Sequence, residues 1–293
     1  MENDLQSFLR QAQAVLLRLE PLLPVLSESI DWHEVRAARW CKQGARGYLQ
    51  ALNASCDVRL SDVLGVDAQR EQLQRNTLQF VRGWPANHAL LWGARGTGKS
   101  SLVRALLAQY AQDGLRLVEV ARDDLLDLPQ VVEQLALLPQ RFIVFCDDLS
   151  FAAGEEGYRA LKTVLDGSIE RAPENVLLYA TSNRRHLLPE KQQDNDATGE
   201  IHPQEAVEEQ IALSDRFGLS LSFYAFSQEH YLMVVRHWLD VLAESFGLNW
   251  QWSEELAKLA ISWAQHRGNR NGRCAYQFAR YWIGLQLLEH KHV

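Results

Sequence analysis

Apolar positions along the chain change period as the sequence is followed. Over residues 5–19 they fall at Leu5, Phe8, Leu9, Ala12, Val15, Leu16 and Leu19, the three- and four-residue spacing of one helical face. Pro21 and Pro24 interrupt that pattern. A second helical stretch is expected from Asp31, a side chain suited to an N-cap, toward Leu52. From about residue 58 the pattern alternates. Short apolar runs lie at 88–92, 116–120, 141–146, 175–180 and 219–223. Segments with helical spacing lie between them, at 100–111, 125–138, 158–169 and 202–210. Strand–helix alternation predicts an α/β fold with a five-stranded parallel sheet and helices on both faces. Runs that are apolar nearly throughout fit strands covered on both sides.

From Ser227 the strand-like runs stop. Helices are expected at 230–246, at 253–266 with Ser253 as N-cap, and at 273–288. The chain therefore divides into a helical N-terminal region (1–57), a sheet domain (58–226) and a small helical domain (227–293). Residues 190–200 (EKQQDNDATGE) read as a polar loop, either functional or a tolerated surface insertion. No internal repeat is evident.

Composition narrows the classes. The 293 residues are 47% hydrophobic and 23% charged, ordinary for a chain that buries a core. A formal net charge of −7 gives no general pull toward nucleic acid or an anionic membrane. Cys41, Cys56, Cys146 and Cys274 show no metal-ligand spacing and suit a reducing compartment. The N-terminus does not read as a signal peptide, and no apolar run reaches the length of a membrane span. A cytoplasmic protein without membrane insertion is expected.

Candidate chemistry begins at Gly93-Ala94-Arg95-Gly96-Thr97-Gly98-Lys99-Ser100, which fits G-x-x-x-x-G-K-[ST]. Glycines let successive backbone N–H groups curl inward around a phosphate. Lys99 offers a cation to the β- and γ-phosphates, and Ser100 a hydroxyl to Mg²⁺. The helix that begins there aims its positive end at the anion. An apolar run precedes the motif and an amphipathic segment follows it (Leu102, Val103, Leu106, Leu107, Tyr110), the setting such a loop needs.

Two strand ends, the segment before the fifth apolar run and one loop add candidates. Residues 142–146 lead into Asp147 and Asp148, two carboxylates at the sheet's carboxyl edge, where open α/β sheets bind ligands. Asp147 is placed to hold Mg²⁺ and Asp148 to polarise an attacking water; a strand-terminal turn is the plainer reading of either. The run 176–180 ends in Thr181, Ser182 and Asn183, where Thr181 or Asn183 can bond a γ-phosphate or water. Arg216 in Leu213-Ser214-Asp215-Arg216-Phe217-Gly218 is either a charge donor to a neighbouring subunit's site or a surface arginine paired with Asp215. The arginines of 267–273 (RGNRNGR) either reach phosphate or belong to a solvated loop.

Taken in order, these elements resemble an AAA+ ATPase. The fit is closer still to a bacterial AAA+ branch of unknown function, the domain 815 family. Its members look like this chain at NxxLLxGxRGTGKSSLV (residues 87–103), DDLSF (147–151), YATSNRRHL (179–187) and LSDRFGL (213–219). The likeness covers roughly residues 58–290. It implies ATP and Mg²⁺ as cofactors and ATP hydrolysis as the activity. Gly93, Ala94, Arg95, Gly96, Thr97, Gly98, Lys99, Ser100 and Ser101 would form the Walker A site. Asp147 and Asp148 would be Walker B, Asn183 sensor 1, Arg216 an arginine finger acting in trans, and Arg273 sensor 2. Ser61–Val66 resembles the adenine-pocket segment, which puts Val63, Leu64 and Gly65 against base or ribose. The pair Asp147-Asp148 departs from the usual Asp-Glu. The shorter side chain suits slow turnover or a switch, with Glu155 and Glu156 nearby as substitutes or as plain loop residues.

Three functions of different classes are open to a chain with this loop. The first is a homo-oligomeric ring, with a hexamer as one expectation, remodelling a protein client of unknown identity. The second is a slow, nucleotide-gated adaptor or loader. The third is a small-molecule kinase, for which no acceptor cluster speaks. A nucleic-acid partner is less favoured; Arg184, Arg185 and His186 are the basic cluster that argues for it.

Overall fold

The computed structural model describes residues 30–44, 46–53, 58–151, 156–166, 173–184, 187 and 214–290, besides residue 13. The expected elements at 5–19 and 202–210 and the polar loop at 190–200 lie outside them. All five apolar runs form strands: β3 (Ala89–Gly93), β4 (Leu115–Glu119), β5 (Arg141–Cys146), β6 (Val176–Ser182) and β7 (Leu219–Phe223). The sheet nevertheless has seven strands, because β1 (Ala37–Gln43) and β2 (Arg46–Leu52) form an antiparallel hairpin that extends it beyond β4.

The hairpin replaces the helix expected from Asp31 toward Leu52, and the count of five strands is corrected to seven. Asp31 does cap a turn, accepting from His33 N at 2.9 Å, but only one turn follows before the chain extends. Long-range contacts decide the outcome. Trp40 is 1% exposed and donates Nε1–H to Asp127 at 2.9 Å. Arg39 pairs with Glu119 of β4 at 2.8 Å. Tertiary packing of this kind overrides a weak local preference.

Strand order is β2-β1-β4-β5-β6-β3-β7, with β1, β4, β5, β6, β3 and β7 parallel. Strand alternation then sorts side chains to two faces. In β5, Phe142, Val144 and Cys146 join one buried cluster, and Ile143 and Phe145 the other. Helices α1 (Asp67–Val81) and α2 (Lys99–Tyr110) cover one face through Leu73, Phe80, Leu102 and Leu106. Helices α3 (Leu128–Ala136) and α4 (Glu156–Asp166) cover the other through Val131, Leu135, Tyr158 and Leu161.

A third core follows. Helices α5 (Gln228–Phe246), α6 (Glu254–His266) and α7 (Gly272–His290) bury Tyr231, Val235, Leu239, Ala260, Ala275, Phe278 and Ile283 among themselves. Each start or stop has a local cause. Ser227 and Ser253 accept from His230 N and Leu256 N, each at 3.1 Å, as N-caps of α5 and α6. Gly247, left-handed at φ 64°, ends α5.

Candidate functional site

Strand β3, one in from the sheet edge, runs between β6 and β7, with Ala89 opposite both Tyr179 and Leu219. The chain leaves β3 for β4, two strands beyond β6, and later returns to its other side as β7. This makes the carboxyl end of β3 the switch point at which open α/β sheets take ligands. The loop Gly93–Gly98 starts there and α2 begins at Lys99.

Backbone contacts fix the loop. Gly93 has φ 126°, and a Cβ on it would sit 2.0 Å from the Phe223 carbonyl oxygen. Ala94 N donates to that same oxygen at 2.9 Å, so β7 braces the loop's first turn. Thr97 Oγ1 closes the turn onto Ala94 O at 2.8 Å. Lys99 is buried and donates to Gly93 O at 2.8 Å and Ala94 O at 2.7 Å. Burial draws its ammonium below the usual lysine range; Asp148 and Asp147 pull the other way, and Arg95 adds to the lowering.

The carboxylates stand beside the loop. Ser100 Oγ donates to Asp147 Oδ1 at 2.6 Å, and Thr181 Oγ1 donates to the same oxygen at 2.5 Å. Asp148 adopts φ 55°, a left-handed conformation that Asp tolerates better than most residues. Its N–H donates to Thr181 Oγ1 at 2.8 Å, and Leu149 N to Thr181 O at 2.7 Å. Asn183 Nδ2 donates to the Asp148 carboxylate. Thr181 thus fastens the end of β5 to the end of β6. Its polarity at the tip of an apolar strand is the one sign of this role in the sequence.

Two more segments approach. Val63 is buried, and its Cγ1 lies 3.1 Å from where a Gly98 Cβ would be. Arg70 Nη1 donates to Val63 O at 3.2 Å and Arg70 Nη2 pairs with Asp67, holding residues 60–65 onto α1. From the helical domain, Gly272 N donates to Gly96 O at 2.8 Å, and the Asn271 side chain fills the space beside Gly96. Asn271 also caps α7, accepting from Cys274 N at 2.9 Å. Arg273 is exposed one residue further on. Asn271 and Gly272 were not distinguished by sequence within the run 267–273.

Arg216 is not part of this cluster. It precedes β7 and therefore lies at the amino edge, the length of a five-residue strand away from the loop, about 16 Å at 3.3 Å per residue. Its Nε donates to Asp166 at the end of α4 rather than to the neighbouring Asp215. A cavity of about 880 Å³ also opens at the amino edge, lined in part by Arg36, Arg116 and Arg141. Arg116 is engaged there, donating to the Trp32, Ala111 and Leu115 carbonyls at 2.6–2.9 Å. It ties chain segments together at that edge.

A glycine loop at the switch point, a carboxylate-tipped strand on the far side of β6 and a trailing helical domain characterise an α/β fold built on a mostly parallel sheet. The chain belongs to the family described as protein of unknown function DUF815, whose model matches residues 33–286. No curated protein matches it. Among solved structures, the ORC1 protein of Aeropyrum pernix in complex with DNA is 15% identical, with a TM-score of 0.51 over 74% of this chain and 61% of that one. A RuvB variant from Thermotoga maritima is 15% identical, with a TM-score of 0.49 over 76% of this chain and 63% of that one. AMPPCP-bound DnaA from Aquifex aeolicus is 14% identical, with a TM-score of 0.49 over 75% and 62%. At these identities the likeness is one of fold, and the chain spans less than two thirds of each neighbour's length. No helix among the described residues is long and apolar enough to cross a membrane.

Proposed function

We propose that the protein binds ATP with Mg²⁺ at the loop Gly93–Ser101 and hydrolyses it, coupling hydrolysis to remodelling of a macromolecular client. The carrying observation is the meeting of Ser100 Oγ and Asp147 Oδ1 at 2.6 Å at the switch point. A hydroxyl and a carboxylate beside a phosphate loop are the few protein oxygens that Mg²⁺ takes when phosphates and waters supply the rest. Ser100 and Asp147 would hold Mg²⁺ there, and the ion would supply neutralisation of phosphate charge.

The chain's own groups do the remainder. The loop N–H groups and the α2 N-terminus receive the phosphates. Lys99 exchanges the Gly93 and Ala94 carbonyls for phosphate oxygens. Asp148 accepts a hydrogen bond from the attacking water, with its carboxylate oriented by Asn183. Val63, Leu64 and Gly65 contact the base. Arg273, beside the contact of Gly272 with Gly96, reaches phosphate from the helical domain. Arg216, at the opposite edge from its own loop, serves the site of a neighbouring copy in a head-to-tail ring. A protein client is favoured over nucleic acid by the net charge of −7. We place the assembly in the cytoplasm.

A second reading, the slow nucleotide-gated adaptor, is favoured by the Asp148–Asn183 bond itself. A clamped, short carboxylate gives low basal turnover, and ATP acts by changing a partner surface. Lys99→Ala tests what the two readings share. Measured by calorimetry with Mg·ATP, the variant is expected to lose binding at least about 100-fold, since a charged group on phosphate contributes roughly 3 kcal/mol. Unchanged affinity removes the loop from both readings.

A further inference from the structure

Residues 60–65 are held from two sides, and one side is the helical domain. His230 and His237 stand seven residues apart on α5, two helical turns or about 10 Å along one face. His230 Nε2 lies 3.1 Å from Leu64 O. A carbonyl only accepts, so Nε2 carries the hydrogen. The ring occupies the space beside Gly65: a Cβ there would fall 1.8 Å from Nε2, and Gly65 has φ 71°. His237 Nε2 donates to Asp62 Oδ1 at 3.1 Å. The other Asp62 oxygen accepts from Arg59 N at 2.7 Å and closes the short turn Leu60–Asp62.

The contacts continue to the phosphate loop. Phe226 stacks on the His230 ring, with centroids 3.9 Å apart and planes at 24°. The Phe226 ring lies 3.8 Å from where a Gly272 Cβ would be, and Gly272 N–H is bonded to Gly96 O. These contacts join Leu64, His230 and Phe226 to the start of α7, while the link from Gly272 to Gly96 is backbone to backbone and does not depend on the His230 ring.

We propose that His230 and His237 are positioning residues that hold the backbone of 62–65 in the shape that selects the nucleotide base. Purines differ at their edges, where one carries a donor and another an acceptor. Telling them apart needs backbone N–H and C=O groups held at fixed angles. Segment 62–65 carries no regular structure after its single turn, and the two histidines supply the angles. Selection of the base is then tied to the seating of α5, and a loosened segment weakens base contacts while leaving phosphate contacts alone. The proposal rests on the reading that this loop takes ATP.

The test compares ATP, GTP and inorganic tripolyphosphate, each with Mg²⁺, binding by calorimetry to the full chain and to His230→Ala, His230→Gln and His237→Gln. Gln carries an N–H where the imidazole Nε2–H stands, so it restores the bond without the ring. The expected result for His230→Ala is an ATP affinity lower by about 3- to 10-fold, a smaller ATP-to-GTP ratio, and unchanged tripolyphosphate affinity. His230→Gln recovers most of the loss, and His237→Gln stays close to the parent. Equal weakening of ATP and tripolyphosphate, or an ATP-to-GTP ratio that does not move, overturns the proposal. So does failure of His230→Gln to recover when circular dichroism shows it folded. A parent protein that binds neither ATP nor tripolyphosphate overturns the underlying phosphate-loop reading, an outcome separate because it appears before any variant is made.

Discussion

Gly93→Ala separates the brace on the phosphate loop from ordinary glycine strain. The new Cβ would stand 2.0 Å from Phe223 O, 2.9 Å from Phe223 C and 3.0 Å from Phe223 N. All three are backbone atoms, so no side chain can swing aside. Relief requires β7 to move off β3 by roughly 1 Å, against a strand spacing of about 4.8 Å. That movement breaks the 2.9 Å bond from Ala94 N to Phe223 O. Backbone strain of about 1–3 kcal/mol and an unsatisfied half-buried amide of about 1–3 kcal/mol give a loss of roughly 2–6 kcal/mol. Gly114→Ala is the control: φ is 90°, but nothing lies within 4 Å of its Cβ, so only the backbone strain of about 1–3 kcal/mol applies. Urea unfolding of both variants measures the gap, and calorimetry adds that Gly93→Ala loses Mg·ATP while Gly114→Ala keeps it. Equal midpoints, with ATP binding kept in both, would show that β7 does not brace the loop.

Two other predictions follow from the same contacts. His88 Nδ1 accepts from Leu178 N at 2.9 Å, and burial pushes its pKa down from 6.5 to about 4. The unfolded chain therefore takes a proton below pH 6.5 that the folded one refuses until about pH 4. Stability from this group is complete above pH 6.5 and falls as pH drops toward 4, by about 3 kcal/mol. Urea unfolding from pH 7 to 4 is expected to show that excess loss relative to His88→Asn, which keeps an acceptor and does not titrate; parallel curves would refute it. Asn183→Ala is expected to lower the ATP turnover number about 10- to 100-fold, with ATP affinity within about threefold, because Asp148 loses its orienting donor. A rise in basal rate would instead favour the adaptor reading.

Much of the candidate site was legible because the proposed phosphate chemistry calls for a local pattern. Gly93, Gly98, Lys99 and Ser100 must be close in sequence, and the apolar strands ending in Asp147 and Asn183 carry their own period. What the sequence hid depends on distant partners. The hairpin β1–β2 rests on Trp40 reaching Asp127 and Arg39 reaching Glu119, and neither partner can be read from the segment 31–52. Only the glycines at 44 and 47 hinted at a turn there. The places of His230 and Phe226 were equally hidden, since a histidine in an amphipathic helix has no visible target until α5 is packed against residues 60–65. Arg216 shows the opposite case: its motif was legible, its edge of the sheet was not.

The central claim is that hydrolysis is completed between copies, with Lys99 and Asp148 in one and Arg216 in the next. The direct measurement is the ATPase rate per chain against protein concentration, with mass followed in Mg·ATP, for the parent, Arg216→Ala, Asp148→Asn and a mixture of the two variants. The account predicts a specific rate that rises steeply as a larger species forms, near-zero rates for each variant alone, and partial recovery on mixing, because some junctions then pair an intact Asp148 with an intact Arg216. A rate independent of concentration, with full turnover in Arg216→Ala, would contradict it.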